Sequence, residues 1–355
     1  MYYLNPRIEK LHRIFDQNER KDYLRLDLNE NPGGLPKEFI KSVLSDITPQ
    51  FVAQYPETLH FTKVLADYLK TDIEHLCLVN GSAEGIRYII QAFTSENGRI
   101  VGVVPSYFMF QIYSEMYGRN FVQVSYNEDL SMNIGNIVEQ LTDDTQLLIL
   151  LNPNNPMGNV YSNEEFERII RVADKKKITV LVDEAYYYFY PNTFIRYALE
   201  RSHIFITRTF SKLFSMAGCR LGYVAGWPEG IKMVQKMCTP HNTNAFAMLF
   251  AEKMLNNPEI IEELVEEFQA GREFLIDWLD AHGYQHKGEA GNFIFIKPKT
   301  NAQMITDRMK RDKKILIKTY GGVGSLGDCL RVSIGKKKYM ERFTKALQEI
   351  DIREK

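Results

Sequence analysis

The chain has 355 residues, 45% of them hydrophobic, enough for one large core and a smaller second one. Lys and Arg number 44 against 45 Asp and Glu, a formal net charge of -1, so no global field favours nucleic acid or an anionic membrane. No apolar run approaches the roughly 20 residues that span a bilayer, and the opening MYYLNPRIEK lacks a secretory-signal pattern, so the expected location is the cytoplasm.

The amino-terminal arm, residues 1–44, includes LDLNENPGG, has no core of its own and is expected to pack on the carboxyl-terminal unit. Over residues 45–240 the short apolar runs HLCLV, RIVGVV, FVQV, QLLILL, ITVLVD, IFIT and LGYVAG alternate with segments such as NEEFERIIRVADKKK that carry a 3.6-residue period. This alternation predicts an α/β domain with a mainly parallel sheet. Residues 241–355 begin with a long helical pattern and continue with the strands NFIFIK, ILIK and CLRVSI among helices, which predicts a smaller α+β domain.

Chemistry gathers where the predicted strands end. LCLVNGSAEG reads as strand, glycine turn and helix start, so the backbone amides of Ser82, Ala83 and Glu84 suit a phosphate. VVPSYFMF places Tyr107 just after a strand, and LLILLNPNNPMG places Asn155 in a turn at the same edge. ITVLVDEAYYYF ends a buried strand with Asp183, a carboxylate that is costly to bury without a cationic partner. Lys212, in RTFSKLFSMAGCRLGY, follows the next strand and reaches the same edge, where open α/β sheets bind ligands. A lysine amine, a carboxylate able to pair with a pyridinium, a helix terminus and an aromatic face are the parts of a pyridoxal phosphate site.

Three other patterns carry no such chemistry. Gly322, Gly324 and Gly327 spell a dinucleotide fingerprint but precede a strand pattern, so a flexible glycine loop is expected. The lysine runs 175–177 and 336–338 fall at helix ends, where solvated charge is ordinary. Cys77, Cys219, Cys238 and Cys329 lack metal or redox spacing and are expected to be reduced small hydrophobes, with no metal site.

The motifs LNENP, QYP, NGSAEG, PSYFMF, NPNNPMG, VDEAYY, RTFSKLFSMAGCRLGY and CLRVSIG, in this order from Leu28 to Gly335, resemble those of the class I and II pyridoxal phosphate aminotransferases of fold type I, most closely the histidinol-phosphate aminotransferase group. The resemblance implies that Lys212 bonds the cofactor, that Asp183 pairs with its ring nitrogen, and that Asn155 and Tyr186 hydrogen-bond its ring oxygen. It implies Tyr107 stacked on the ring, and Thr209, Ser211 and Arg220 joining the helix amides at the phosphate. Arg331, with Lys318 and Asn155, is implied for the substrate's acidic group. Tyr55, in QYP, is implied to reach the cofactor phosphate of a neighbouring subunit in a homodimer with shared sites. The implied partners are a small amine donor and a keto acid acceptor.

Lys318 stands where the group usually has arginine, Gly33 and Gly34 where a larger side chain is common, and Met157 where threonine is usual. A lysine is a point charge and cannot make arginine's bidentate contact. Decarboxylation of a phosphorylated amino acid, or transamination of aromatic amino acids, therefore stays open beside the histidinol phosphate reaction. A non-catalytic pyridoxal-binding regulator fits less well, because such proteins carry a DNA-binding domain that the short arm before Asn29 is not expected to hold, and a dead enzyme is expected to lose Lys212 or Asp183, both present.

Overall fold

A computed structural model of the chain describes residues 2–11, 19–288 and 290–351; part of the amino-terminal arm, residues 1 and 12–18, lies outside these. Strand β1 (Leu24–Arg25) belongs to the arm. Strands β2 (Leu76–Val79), β3 (Arg99–Val104), β4 (Asn120–Ser125), β5 (Thr145–Leu151), β6 (Thr179–Asp183), β7 (Ile204–Thr209) and β8 (Gly222–Gly226) form one sheet in the order β2-β8-β7-β6-β5-β3-β4. β8 runs opposite to the other six strands of this sheet.

Side chains alternate between two cores. Leu148, Leu150, Val180, Val182, Ile204 and Ile206 face the helix Asn163–Lys176 through its Phe166, Ile169 and Ile170. Their neighbours Leu147, Ile149, Leu181 and Phe205 face the opposite way, against Ile86, Ile89 and Ile90 of the helix Ser82–Phe93. A strand covered on both faces has no reason to carry polar residues, which is why QLLILL reads as an unbroken apolar run. Helix Asn163–Lys176 starts at a capping box, Ser162 and Glu165 each accepting from the other's backbone amide, and Lys175 and Lys176 fill its last turn before Lys177 ends it in the left-handed region.

The second unit holds β9 (His286–Lys287), β10 (Phe293–Ile296), β11 (Ile315–Leu316), β12 (Lys318–Val323) and β13 (Gly327–Ser333). Four of these form an antiparallel sheet, β12-β13-β10-β9, packed on helices Pro258–Ala281, Ala302–Lys313 and Lys337–Ile350. The glycines of YGGVGSLGD fall at the β12–β13 hairpin and open only the three-residue 3-10 turn Gly324–Leu326, not an α-helix, so they offer no pyrophosphate site.

The arm divides between the units. β1 pairs with β11, and Leu24 and Leu26 enter the second core, whereas Phe39 and Val43 of helix Lys37–Leu44 enter the large one. Helix Ala245–Leu255, beyond the expected boundary at residue 240, also packs on the large core through Ala247, Ala251 and Met254. The helix Pro258–Ala281 carries the join, with Ile261 and Leu264 in the large core and Phe268, Leu275 and Leu279 in the second. Apolar faces rather than chain position decide these placements. No helix among the described residues is long and apolar enough to cross a membrane.

Beneath the carboxyl ends of β6 and β7, Arg208 donates from Nε and Nη2 to Glu184 Oε2 at 2.9 and 2.8 Å, with both side chains almost fully buried. Glu184 also accepts from the Phe194 amide at 2.7 Å and from Thr193, and the Tyr187 ring lies 3.9 Å from the guanidinium carbon. Removing one partner strands the other charge in the core. Glu184→Ala or Arg208→Ala is expected to lose about 3–5 kcal/mol in urea unfolding, and the double variant less than the sum. Single variants within about 1 kcal/mol of the parent would show the pair to be unimportant to the fold.

Candidate active site

The carboxyl ends of β2, β3, β5, β6 and β7 open on a cavity of about 220 Å³, closed from the other side by residues of the arm and of β12 and β13. Lys212, Asp183, Tyr186, Asn155, Tyr107, Ser82, Ala83, Thr209, Ser211, Arg220, Lys318 and Arg331 all line it. Lys212, Arg220, Lys318 and Arg331 are its cations, and Asp183 is the carboxylate among the lining residues.

Asp183 ends β6 with 2% of its surface exposed. The groups that hydrogen-bond it, the Thr207 hydroxyl at 3.0 Å and the Ala185 amide, carry no charge. Burial therefore outweighs them and pushes the carboxyl up to about 7. Lys212 follows β7 and donates from Nζ to the Leu28 carbonyl at 3.1 Å. Burial, then repulsion by Arg331, pushes its ammonium down to about 8, with Glu30 and Asp183 opposing.

Tyr186 is buried, and its hydroxyl accepts from Asn29 Nδ2 at 3.0 Å. Its pKa is pushed up to about 12, mainly by burial, so it is a donor at neutral pH. Asn155 Oδ1 accepts from Arg331 Nη1 at 2.9 Å and from Asn29 Nδ2 at 3.4 Å. With its oxygen so engaged, the amide NH₂ is left to donate toward the cavity.

A cup forms where β2 enters the helix Ser82–Phe93. The amides of Ser82 and Ala83, in the first turn, have no partner within the helix. Thr209 and Ser211 stand beside them, and Arg220 Nη1 donates to Ser211 Oγ at 3.2 Å. Gly81 has φ of +79° and a Cβ there would lie 2.5 Å from Arg220 Nη2; one on Gly222 would lie 2.7 Å from the Ser82 amide. Only glycine lets the turn, β8 and the guanidinium close together.

Arg331, on β13 opposite Lys318, is 3% exposed, while its neighbours Leu330 and Val332 face the second core. It donates to Asn155, to Tyr320 Oη at 3.2 Å and to the Asp27 carbonyl. Its Nε is buried without a partner, and the guanidinium lies over the Phe293 and Tyr320 rings. Lys318 is half-buried, and burial together with Arg331 holds its ammonium below the usual lysine range.

Two expected residues stand apart from the cavity. The Glu84 amide donates to the Gly81 carbonyl at 3.1 Å, and its carboxylate folds back to the Asn80 amide at 2.8 Å, so only two of the three expected amides are open. Tyr55 is 78% exposed, stacked on His241 with ring centroids 4.6 Å apart. Asn29, Thr207 and Tyr320 were not read from the sequence as site residues. Asn29 had a signal, its place in LNENP, whereas Thr207 looks like any strand threonine and Tyr320 like any hairpin tyrosine.

These features fit pyridoxal phosphate: a buried carboxylate held by uncharged hydrogen-bond donors, a lysine of lowered basicity, and an anion cup that a Cβ would fill. The large parallel sheet, the smaller α+β unit and the cavity between them are the fold-type I architecture. A histidinol-phosphate aminotransferase from Sinorhizobium meliloti, solved in complex with pyridoxal-5'-phosphate, superposes with a TM-score of 0.88 at 21% identity, over 99% of this chain and 98% of its own. One from Clostridium acetobutylicum gives 0.82 at 27% identity, over 92% and 99%. A histidinol-phosphate aminotransferase of Caldanaerobacter subterraneus subsp. tengcongensis is 30% identical over 330 residues, 92% of each chain. The family Aminotransferase class I and II matches residues 21–347, and the chain belongs to it. It is a pyridoxal phosphate-dependent aminotransferase.

The lowered basicity of Lys212 has a measurable sign. Burial disfavours the ammonium, so the proton leaves as pH rises through about 8 rather than 10.5, and the neutral amine is the nucleophile. In cofactor-free protein, a limiting amine-reactive reagent should label Lys212 with a midpoint near pH 8, read by peptide mass. A midpoint shared with the surface lysines would contradict the assignment.

Proposed function

We propose that this aminotransferase moves the amino group of a small phosphorylated amine of the histidinol phosphate kind to a 2-oxo acid. The observation that carries the reading is the pairing of two separate cationic groups across one cavity. Arg220 stands at the cup and Arg331 with Lys318 at the second unit, and Lys212 feels both arginines. Two anionic groups suit such a cavity, one on the cofactor and one on the substrate. The names of relatives such as the Caldanaerobacter enzyme favour a phosphate for the second.

Pyridoxal phosphate, when bound, supplies an electron sink that acidifies the C–H beside the substrate's amine. Lys212 takes that proton and returns it, which its lowered pKa allows near neutral pH. Asp183 accepts a hydrogen bond from the ring nitrogen and favours its protonated form. Asn155 through its NH₂ and Tyr186 through its hydroxyl donate to the ring oxygen, both oriented by Asn29. Tyr107 covers the ring, and Ser82, Ala83, Thr209, Ser211 and Arg220 hold the phosphate. Arg331 and Lys318 hold the substrate's acidic group, with Asn155 between cofactor and substrate.

A homodimer belongs to the same reading, with Tyr55 reaching the partner's cofactor phosphate. Its exposure, with Val52 and Leu59 also exposed and Phe51 edge-on to Phe246, supports a covered face there. A cytoplasmic location is part of this reading, and the four free thiols suit a reducing compartment.

Histidinol phosphate, histidinol and aromatic amino acids, compared by kcat/KM, test the substrate. The phosphorylated amine should be preferred. Arg331→Ala should lower kcat/KM for it by at least tens of fold, the equivalent of about 2–5 kcal/mol, with the cofactor's visible absorbance unchanged. No preference for the phosphate, or loss of the cofactor with the arginine, would overturn the assignment.

A further inference from the structure

Away from the cavity, Cys77 in β2 and Cys238, just after the helix Pro228–Met237, bring their Sγ atoms to 3.6 Å. Neither thiol has a part in the chemistry above. Two side chains hold the segments in this register: Gln235 Nε2 donates to the Leu76 carbonyl at 3.3 Å, and Asn242 Nδ2 to the Leu78 carbonyl at 2.9 Å. The backbone on either side of Cys77 is thus tied to residues on either side of Cys238. A cavity of about 400 Å³, lined by both cysteines, gives a small oxidant access to the pair.

The two thiols differ in character. Cys77 is pushed well up by the hydrogen bond with Cys238 and by burial, while the same hydrogen bond holds Cys238 below the ordinary thiol value. Cys238, half-exposed, is therefore the one to react first.

The segment after Cys238 runs to the phosphate cup. The Asn242 carbonyl accepts from the Asn80 side chain, and Asn80 precedes Gly81 and Ser82. A disulfide needs its sulfurs about 2.0 Å apart, so closing the pair draws the two segments together. The cup has little slack, because Gly81 already lies against Arg220.

We propose that Cys77 and Cys238 are a redox modification site, oxidised by hydrogen peroxide to a disulfide that loosens the phosphate cup; the effect on the cup rests on the cofactor reading above. The Cys238 thiolate attacks one peroxide oxygen, the O–O bond breaks, and Cys238 becomes a sulfenic acid as hydroxide leaves and is protonated to water. Cys77 sulfur then attacks Cys238 sulfur, the S–O bond breaks, and the hydroxide departs with the Cys77 proton as a second water. Two thiols lose two electrons and one peroxide gains them.

The test treats holoenzyme with hydrogen peroxide and maps peptides without reduction. A Cys77–Cys238 linked peptide, reversed by dithiothreitol, is expected while Cys219 and Cys329 stay thiols. Oxidised holoenzyme should release pyridoxal phosphate several-fold faster on dilution, read by loss of visible absorbance, and Cys238→Ser should show neither change. Two free thiols after treatment, or Cys238 carried to sulfinic acid without linkage, would overturn the site. Linkage with unchanged release would overturn its coupling to the cup. Failure of the protein to hold pyridoxal phosphate at all would count against the cofactor reading alone, since the peptide map still decides the thiol pair.

Discussion

The site is organised around a buried carboxylate whose burial outweighs its hydrogen bonds and the nearby charge of Lys212. Asp183 sits at the end of β6, held by a hydroxyl and an amide, and the fold leaves it 2% exposed. In water the same group would be an anion at neutral pH; here burial brings its pKa to about 7. A bound cation relieves that cost, and a protonated pyridine placed against Asp183 is such a cation. The parallel sheet makes the arrangement possible, because successive strands bring Asp183, Asn155 and Lys212 to one edge without any of them being close in sequence.

A second constraint ties the two units and the arm together at this edge. Asn29, in the left-handed region at φ of 56°, donates its side chain to Tyr186 and Asn155. Its backbone amide donates to Ser333 Oγ at 2.9 Å, and its carbonyl accepts from Asn292 at 3.0 Å. Arg331 spans from the second unit to Asn155 and to the Asp27 carbonyl of the arm. One polar network therefore orients groups from both units and the arm, and a shift between the units would be felt at the groups that line the cavity. The Arg208–Glu184 pair fixes the floor beneath them.

The sheet was legible because strands buried on both faces become short unbroken apolar runs, as in QLLILL and ITVLVD. Asp183 is legible because a carboxylate closing a buried strand has a cost that invites a reason, and Lys212 because it follows the next strand among hydroxyls at the same sheet edge. Thr207 and Tyr320 give no such signal, since each acts through a contact with a residue on a neighbouring strand, and Asn29 shows only through its place in LNENP. The glycine turn suggested three open amides, but the third, from Glu84, closes on Gly81 within the turn, a detail of backbone geometry that NGSAEG does not encode on its face. The division between the units was displaced for a similar reason. The helix Ala245–Leu255 has an apolar face that fits either core, and only the packing against the helix Thr58–Leu69 and its neighbours assigns it.

The role proposed for Asp183 is to hold a positive charge on the ring nitrogen of pyridoxal phosphate. Nuclear magnetic resonance of holoenzyme carrying cofactor isotopically labelled at that nitrogen measures this charge directly. The ring nitrogen should give the shift of a protonated pyridinium throughout pH about 6 to 9, and Asp183→Asn should lose it. A neutral pyridine shift in the parent enzyme would contradict that role.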